Sequence, residues 1–112
     1  MIALTSATKI MICRQPTDMR KSFDTLAAIV RSAMNADPLD GRLYVFYNSR
    51  RNRVKILYWD HDGFAVWSKR LEKGCIRLPP QSKWASGALD YVELIMFLEG
   101  VSITGRKNRY IR

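Results

Sequence analysis

The chain has 112 residues, 47% hydrophobic and 26% charged, which is the size and balance of one soluble globular domain. Nineteen Lys and Arg against ten Asp and Glu leave a net charge of +9 and a pI near 10.0. A wholly disordered chain is excluded by this composition, and a disulfide scaffold by the presence of only two cysteines. A spanning helix is excluded because the longest aliphatic and aromatic run, Leu94 to Leu98, is far short of the ~20 residues required.

Thr5, Ser6, Thr8 and Lys9 interrupt the apolar start too early for a secretory leader. The expectation is a cytoplasmic protein with reduced thiols, in which Cys13 and Cys75 are small buried hydrophobes. Lys9 to Arg14 is a short apolar run that reads as a strand, closed by Pro16. Thr17 or Asp18 then offers an N-cap oxygen. Met19, Phe23, Leu26, Ala27, Val30, Ala33 and Met34 follow at helical spacing and predict one buried stripe. Asp37-Pro38 and Asp40-Gly41 end that helix.

Arg42 to Tyr47, Val54 to Trp59 and Phe64 to Arg70 are β-branched and aromatic, hence strands. They are joined by turns at Asn48–Asn52 and Asp60–Gly63, and Cys75 to Leu78 reads as a further short strand after Lys73-Gly74. After Pro79-Pro80, Ala88 to Leu98 predicts a second helix, with Asp90 in its first turn and Gly100 as its stop. The expected fold is α+β: an antiparallel β-meander of four to five strands with two helices packed on one face. Residues 1–104 form the single domain and residues 105–112 a basic C-terminal tail.

Alternation assigns the two sheet faces once Tyr47 is set opposite Val54. Leu43, Val45, Tyr47, Val54, Ile56 and Tyr58 make the better core, which both helices are expected to cover. Tyr44, Phe46, Arg53, Lys55, Leu57 and Trp59 mix bases with aromatics. That pattern suits a platform for stacking nucleobases, and equally suits plain packing under a helix or a partner subunit.

Charge is uneven along the chain. Residues 42–83 hold ten bases against three acids, net +7, and residues 84–104 three acids and no base. Arg50, Arg51, Arg53 and Lys55 place four cations at one hairpin end, with Lys69, Arg70 and Lys73 as further contributors. Like charges so close repel unless an anion neutralises them, and a basic β-ribbon fits a major groove. A solvated turn is the plain alternative. The total charge favours a polyanionic partner, whether DNA, RNA or an anionic lipid surface.

Catalytic patterns are weak. Asp60 and Asp62 bracket the sole histidine, His61, but metal-dependent phosphoryl chemistry needs more converging acids, and Asp in a tight turn bonds its own backbone. There is no Cys-His metal spacing, phosphate-binding Gly-Lys-Ser loop or Gly-x-Ser-x-Gly elbow. The expectation is a binding protein, not an enzyme, with no cofactor and no metal.

Several strings together resemble a known family. They are Thr17-Asp18-Met19-Arg20-Lys21-Ser22-Phe23-Asp24 with Leu26-Ala27, Leu43-Tyr44-Val45-Phe46, and Arg53-Val54-Lys55-Ile56-Leu57-Tyr58-Trp59-Asp60. Asp62-Gly63-Phe64, Lys69-Arg70-Leu71-Glu72-Lys73-Gly74 and Leu98-Glu99-Gly100-Val101 continue the match in order. The family is the TnpB, or Orf2-like, accessory protein of the insertion-sequence-66 (IS-66) group of bacterial transposable elements. The resemblance implies a role in DNA transposition beside a separate, larger transposase. It supplies no catalytic or binding residues. The sequence departs from the family at Arg51-Asn52-Arg53, where a glycine and an acid more often precede the arginine.

Two principal functions follow as expectations. One is a DNA-binding accessory factor, holding phosphates through Arg50, Arg51, Arg53 and Lys55 with help from Lys69, Arg70 and Lys73. The other is a protein-interaction module that binds the transposase through the aromatic sheet face or the acidic second helix. No membrane association is expected, and open edge strands are compatible with a homodimer.

Overall fold

The structure, a computed structural model, describes residues 9–78. The helix expected at Ala88 to Leu98, the loop expected from Pro79 and the basic tail lie outside the described residues. In chain order the elements are β1 (Ile10–Ile12), α1 (Phe23–Ala33), β2 (Leu43–Tyr47), β3 (Arg53–Asp60) and β4 (Gly63–Arg70). They form one four-stranded sheet of order β1-β2-β3-β4.

The meander β2-β3-β4 is antiparallel, with Tyr47 opposite Val54, the pairing on which the face assignment is based. β1 corrects the wholly antiparallel expectation: it lies parallel to β2, pairing Ile10 with Leu43 and Ile12 with Val45. The physical reason is the crossover. Adjacent strands joined through a helix run parallel, because the chain must return to the sheet's starting end before the next strand begins. Cys75 to Leu78 is a second correction, since only Cys75 makes a bridge and no fourth meander strand forms.

The helix also sits on the other face. Leu26, Ala27 and Val30 of α1 pack with Met11, Cys13, Met19, Tyr44, Phe46 and Leu57. Tyr44, Phe46 and Leu57 are fully buried there, so the face offered as a stacking platform is instead core beneath a helix. Ile10, Ile12, Leu43, Val45, Tyr47, Val54, Ile56 and Tyr58 form the opposite core face together with Ile76. All five residues of β2 are buried, as expected for a strand covered on both sides.

α1 starts later than the Thr17–Asp18 cap predicts. Its N-cap is Ser22, which makes no side-chain capping bond. The Asp18 carboxylate is instead taken by Arg20, through the backbone N–H at 2.9 Å and the guanidinium at 2.8 Å. Phe23, assigned to the buried stripe, is the first helical residue and is 46% exposed. The helix ends at Asn35, whose positive φ of 50° suits a residue able to enter the left-handed region. Tyr44 is anchored beyond it: its hydroxyl donates to the Asp40 carboxylate at 2.8 Å, and burial with this neighbouring negative charge raises its pKa. Cys13 is buried as expected, and Cys75 is half-buried.

Candidate nucleic-acid interface

Strand directions decide which loops meet. The end of β2, the start of β3 and the end of β4 share one end of the sheet. Parallel β1 delivers the segment after it to the same end, where the Thr17 N–H donates to the Tyr47 carbonyl at 2.7 Å.

The β2–β3 turn is built by Asn48. Its side-chain oxygen accepts from the N–H groups of Asn52 (3.0 Å) and Arg53 (2.9 Å), and its amide donates to the Asn52 side chain at 2.7 Å. Arg51 takes a left-handed conformation, φ 59°. The segment after β4 is fastened to this turn by two backbone bonds of 2.7 Å, Leu71 N–H to the Asn52 carbonyl and Ile76 N–H to the Arg51 carbonyl. The turn and the Leu71–Ile76 segment are thus one hydrogen-bonded unit.

Arg50, Arg51, Arg53, Arg70 and Lys73 project from this unit as exposed side chains. Arg53 stands directly opposite Arg70 in the ladder, a like-charge pair that costs stability. Of these five, only Arg70 forms an ion pair among the described residues, with Glu72 at 3.3 Å and both side chains well exposed. Among the described residues Arg50, Arg51, Arg53 and Lys73 form no ion pair.

The other two expected residues are placed differently. Lys55 is half-buried and its ammonium donates to the Lys21 carbonyl at 2.7 Å, which holds the chain leading into α1. Lys69 pairs with Val54 across the ladder and so lies on the opposite face from Arg53 and Arg70.

Residues that the sequence reading did not select also reach this end. An open groove of about 510 Å³ is lined by Thr17, Asp18, Arg20, Asn48, Ser49 and Arg53. Arg20 holds the Asp18 carboxyl well below the usual carboxylate range, mainly by hydrogen bonding, so the pair stays charged. The signal for Arg20 was the β-α-β order, which forces β1 parallel and carries residues 14–21 to the basic end.

The opposite end of the sheet has the reverse character. Asp37 and Asp40 precede β2 and Asp60 and Asp62 flank the β3–β4 turn at this end, beside Lys9 and with Arg42 paired to Asp40 at 2.7 Å. The β3–β4 turn puts His61, not Gly63, at positive φ, 64°. Among the described residues no group of three or more His, Cys, Asp or Glu is placed to hold a metal ion. Among the same residues no helix is long and apolar enough to cross a membrane.

These features define a small basic α+β domain whose sheet is charge-polarised from end to end. Comparison with known proteins identifies its kind. The chain belongs to the IS66 Orf2-like family, whose profile, described as IS66 Orf2 like protein, matches residues 8–108. It is therefore an accessory protein associated with the transposition of insertion sequences. Two relatives come from Sinorhizobium fredii (strain NBRC 101917 / NGR234). Uncharacterized protein y4jC is 39% identical over 80 residues, covering 71% of this chain and 68% of the relative. Uncharacterized protein y4hO is 30% identical over 93 residues, covering 83% of this chain and 80% of the relative. No solved structure matches the chain.

Proposed function

We propose that the protein serves transposition by binding DNA without catalysis, gripping phosphates with the basic end of its sheet. The observation that carries this reading is the hydrogen-bonded unit that holds Arg50, Arg51, Arg53, Arg70 and Lys73 together with little internal neutralisation. Cations held close before a ligand arrives carry a repulsion that an incoming phosphate relieves, and each contact releases a counterion. The N-terminus of α1 lies toward the same end and adds its partial positive charge. The shape is a short projecting edge, suited to phosphates along a groove and not to a deep pocket.

The test is a variant carrying Arg50→Glu, Arg51→Glu and Arg53→Glu, with its fold checked by circular dichroism. It should lose most of its affinity for duplex DNA. Retained affinity in the folded variant overturns the reading.

A second reading, contact with the transposase, is supported by the other end of the sheet. There Trp59 and Phe64 form an edge-to-face pair, centroids 5.1 Å apart, both half-buried beside Asp60 and Asp62. Phe46 has no part in it, being fully buried. Copurification with the transposase in nuclease-treated extracts, lost in Trp59→Ala, is the expected result of this reading.

A further inference from the structure

We infer that the protein forms a two-fold dimer by antiparallel pairing of β4 with β4 of a second copy. The backbone shows which groups are free to do this. The Asn48 N–H donates to the Arg53 carbonyl, so odd-numbered residues of β3 turn their backbone groups toward β2 and even-numbered ones toward β4. Val54 pairs with Lys69, Ile56 with Trp67 and Tyr58 with Ala65. The backbone N–H and C=O groups of Phe64, Val66, Ser68 and Arg70 therefore point away from β3, and among the described residues β4 has no neighbour on that side.

β4 carries charge only at its end, in Lys69 and Arg70, and has neither proline nor a bulge to blunt its edge. It runs eight residues without proline, and its ladder with β3 is unbroken from Asp60–Gly63 to Arg53–Arg70. β1, the other edge, has only three residues.

Charge selects the occupant. β4 ends in Arg70 at the basic end and begins just after Asp62 at the acidic end. Pairing Val66 with Val66 of the second copy sets Phe64 opposite Ser68 and Arg70 opposite Asp62, twice over. Phe64, Val66 and Ser68 are outward-facing, as a hydrogen-bonded pair requires, whereas the Asp62 N–H already donates to the Asp60 carbonyl, so Asp62 meets Arg70 through its side-chain charge alone. A parallel arrangement would set like ends together. The strand is thus self-complementary in hydrogen bonding and in charge, and the second copy of this chain is the partner it fits.

The two-fold axis stands perpendicular to the sheet, so the basic ends of the two copies point in opposite directions. Eight residues at about 3.3 Å each separate them by roughly 26 Å along the strands. A dimer of this form can hold two DNA segments at once. That consequence rests on the DNA reading above, whereas the dimer does not.

Sedimentation velocity without DNA tests the dimer. The wild-type chain should sediment as a dimer once its concentration reaches about 100 μM. Ser68→Pro removes an outward N–H at an exposed position, where no ladder bond inside the chain is lost, and should be a folded monomer. Asp62→Arg and Arg70→Asp should each associate at least about tenfold more weakly, and an equimolar mixture of the two should recover dimer, because the opposed charges are restored in the mixed pair. A monomeric wild type, a Ser68→Pro protein that still dimerises, or a mixture no tighter than either variant alone overturns the inference. Capture of a labelled duplex by a bead-bound duplex should then need the dimer and fail with Ser68→Pro. A stable dimer that binds no DNA leaves this inference standing and removes the DNA reading.

Discussion

Phe46→Ala separates the two roles that the aromatic sheet face admits. Phe46 has no exposed surface and lies among Leu26, Ala27, Val30, Tyr44 and Leu57. Truncation removes most of a buried aromatic side chain and leaves a cavity between β2 and α1. Such changes cost about 3–5 kcal/mol, from lost transfer energy plus unfilled volume. Set against the roughly 5–15 kcal/mol by which domains of this size are stable, that loss is at least about a fifth of the total. At about 4 °C per kcal/mol, the melting temperature should fall by at least ~12 °C. Thermal or urea unfolding followed by circular dichroism measures this. DNA affinity, taken at a temperature where the variant remains folded, should stay near wild type. Unchanged stability with lost affinity would refute burial of Phe46 and restore the face as a stacking surface.

Three more outcomes follow from the geometry. Asn48→Ala removes the three hydrogen bonds that shape the β2–β3 turn and should destabilise the fold by about 1–3 kcal/mol in urea titrations, while weakening DNA binding more than it alters net charge. Arg51→Gly relieves a left-handed arginine and should raise stability by up to ~1 kcal/mol, yet lower the salt dependence of DNA binding by about one phosphate contact, so stability and affinity move in opposite directions. Asp18 is held ionised by Arg20, so in the folded protein it should not protonate as pH falls through about 3.9, where aspartates ordinarily titrate. A folded pKa depressed in this way contributes stability above that range and loses it only at lower pH. Arg20→Ala should move the Asp18 titration, followed by NMR of its side chain, up toward the ordinary range, with part of the depression kept by the residue-20 backbone N–H, which still donates to the carboxylate.

Local patterns in the sequence located the elements that have a clear period. β2, β3 and β4 fall within a residue or so of their alternating runs, and Tyr47 opposite Val54 follows from a short turn between them. The face expected to be core is buried, but α1 covers the other one, because β2 is apolar at every position and period alone cannot say which side a helix covers. The direction of β1 was legible from the β-α-β order but not from its three residues. The start of α1 was misread because Asp18 has two uses, as a cap or as a partner for Arg20, and the second was two residues away.

The candidate interface was legible as a charge cluster but not as a shape. Arg50, Arg51 and Arg53 are neighbours in sequence, so one turn gathers them. Arg70 and Lys73 join them only through the β3–β4 register and the bonds from Leu71 and Ile76. Lys55 and Lys69 looked equivalent in sequence, yet a backbone carbonyl and the opposite sheet face give them separate places.

The central claim is that five clustered cations bind DNA phosphates. Fluorescence anisotropy of a labelled duplex, titrated across a salt series, measures it directly. Contacts from Arg50, Arg51, Arg53, Arg70 and Lys73 predict a slope of log affinity against log salt of about −4 to −5, at roughly −0.9 per contact. Neutralising Arg50, Arg51 and Arg53 to Gln should bring the slope to about −2. A slope near zero, or one unchanged by the three substitutions, contradicts the account.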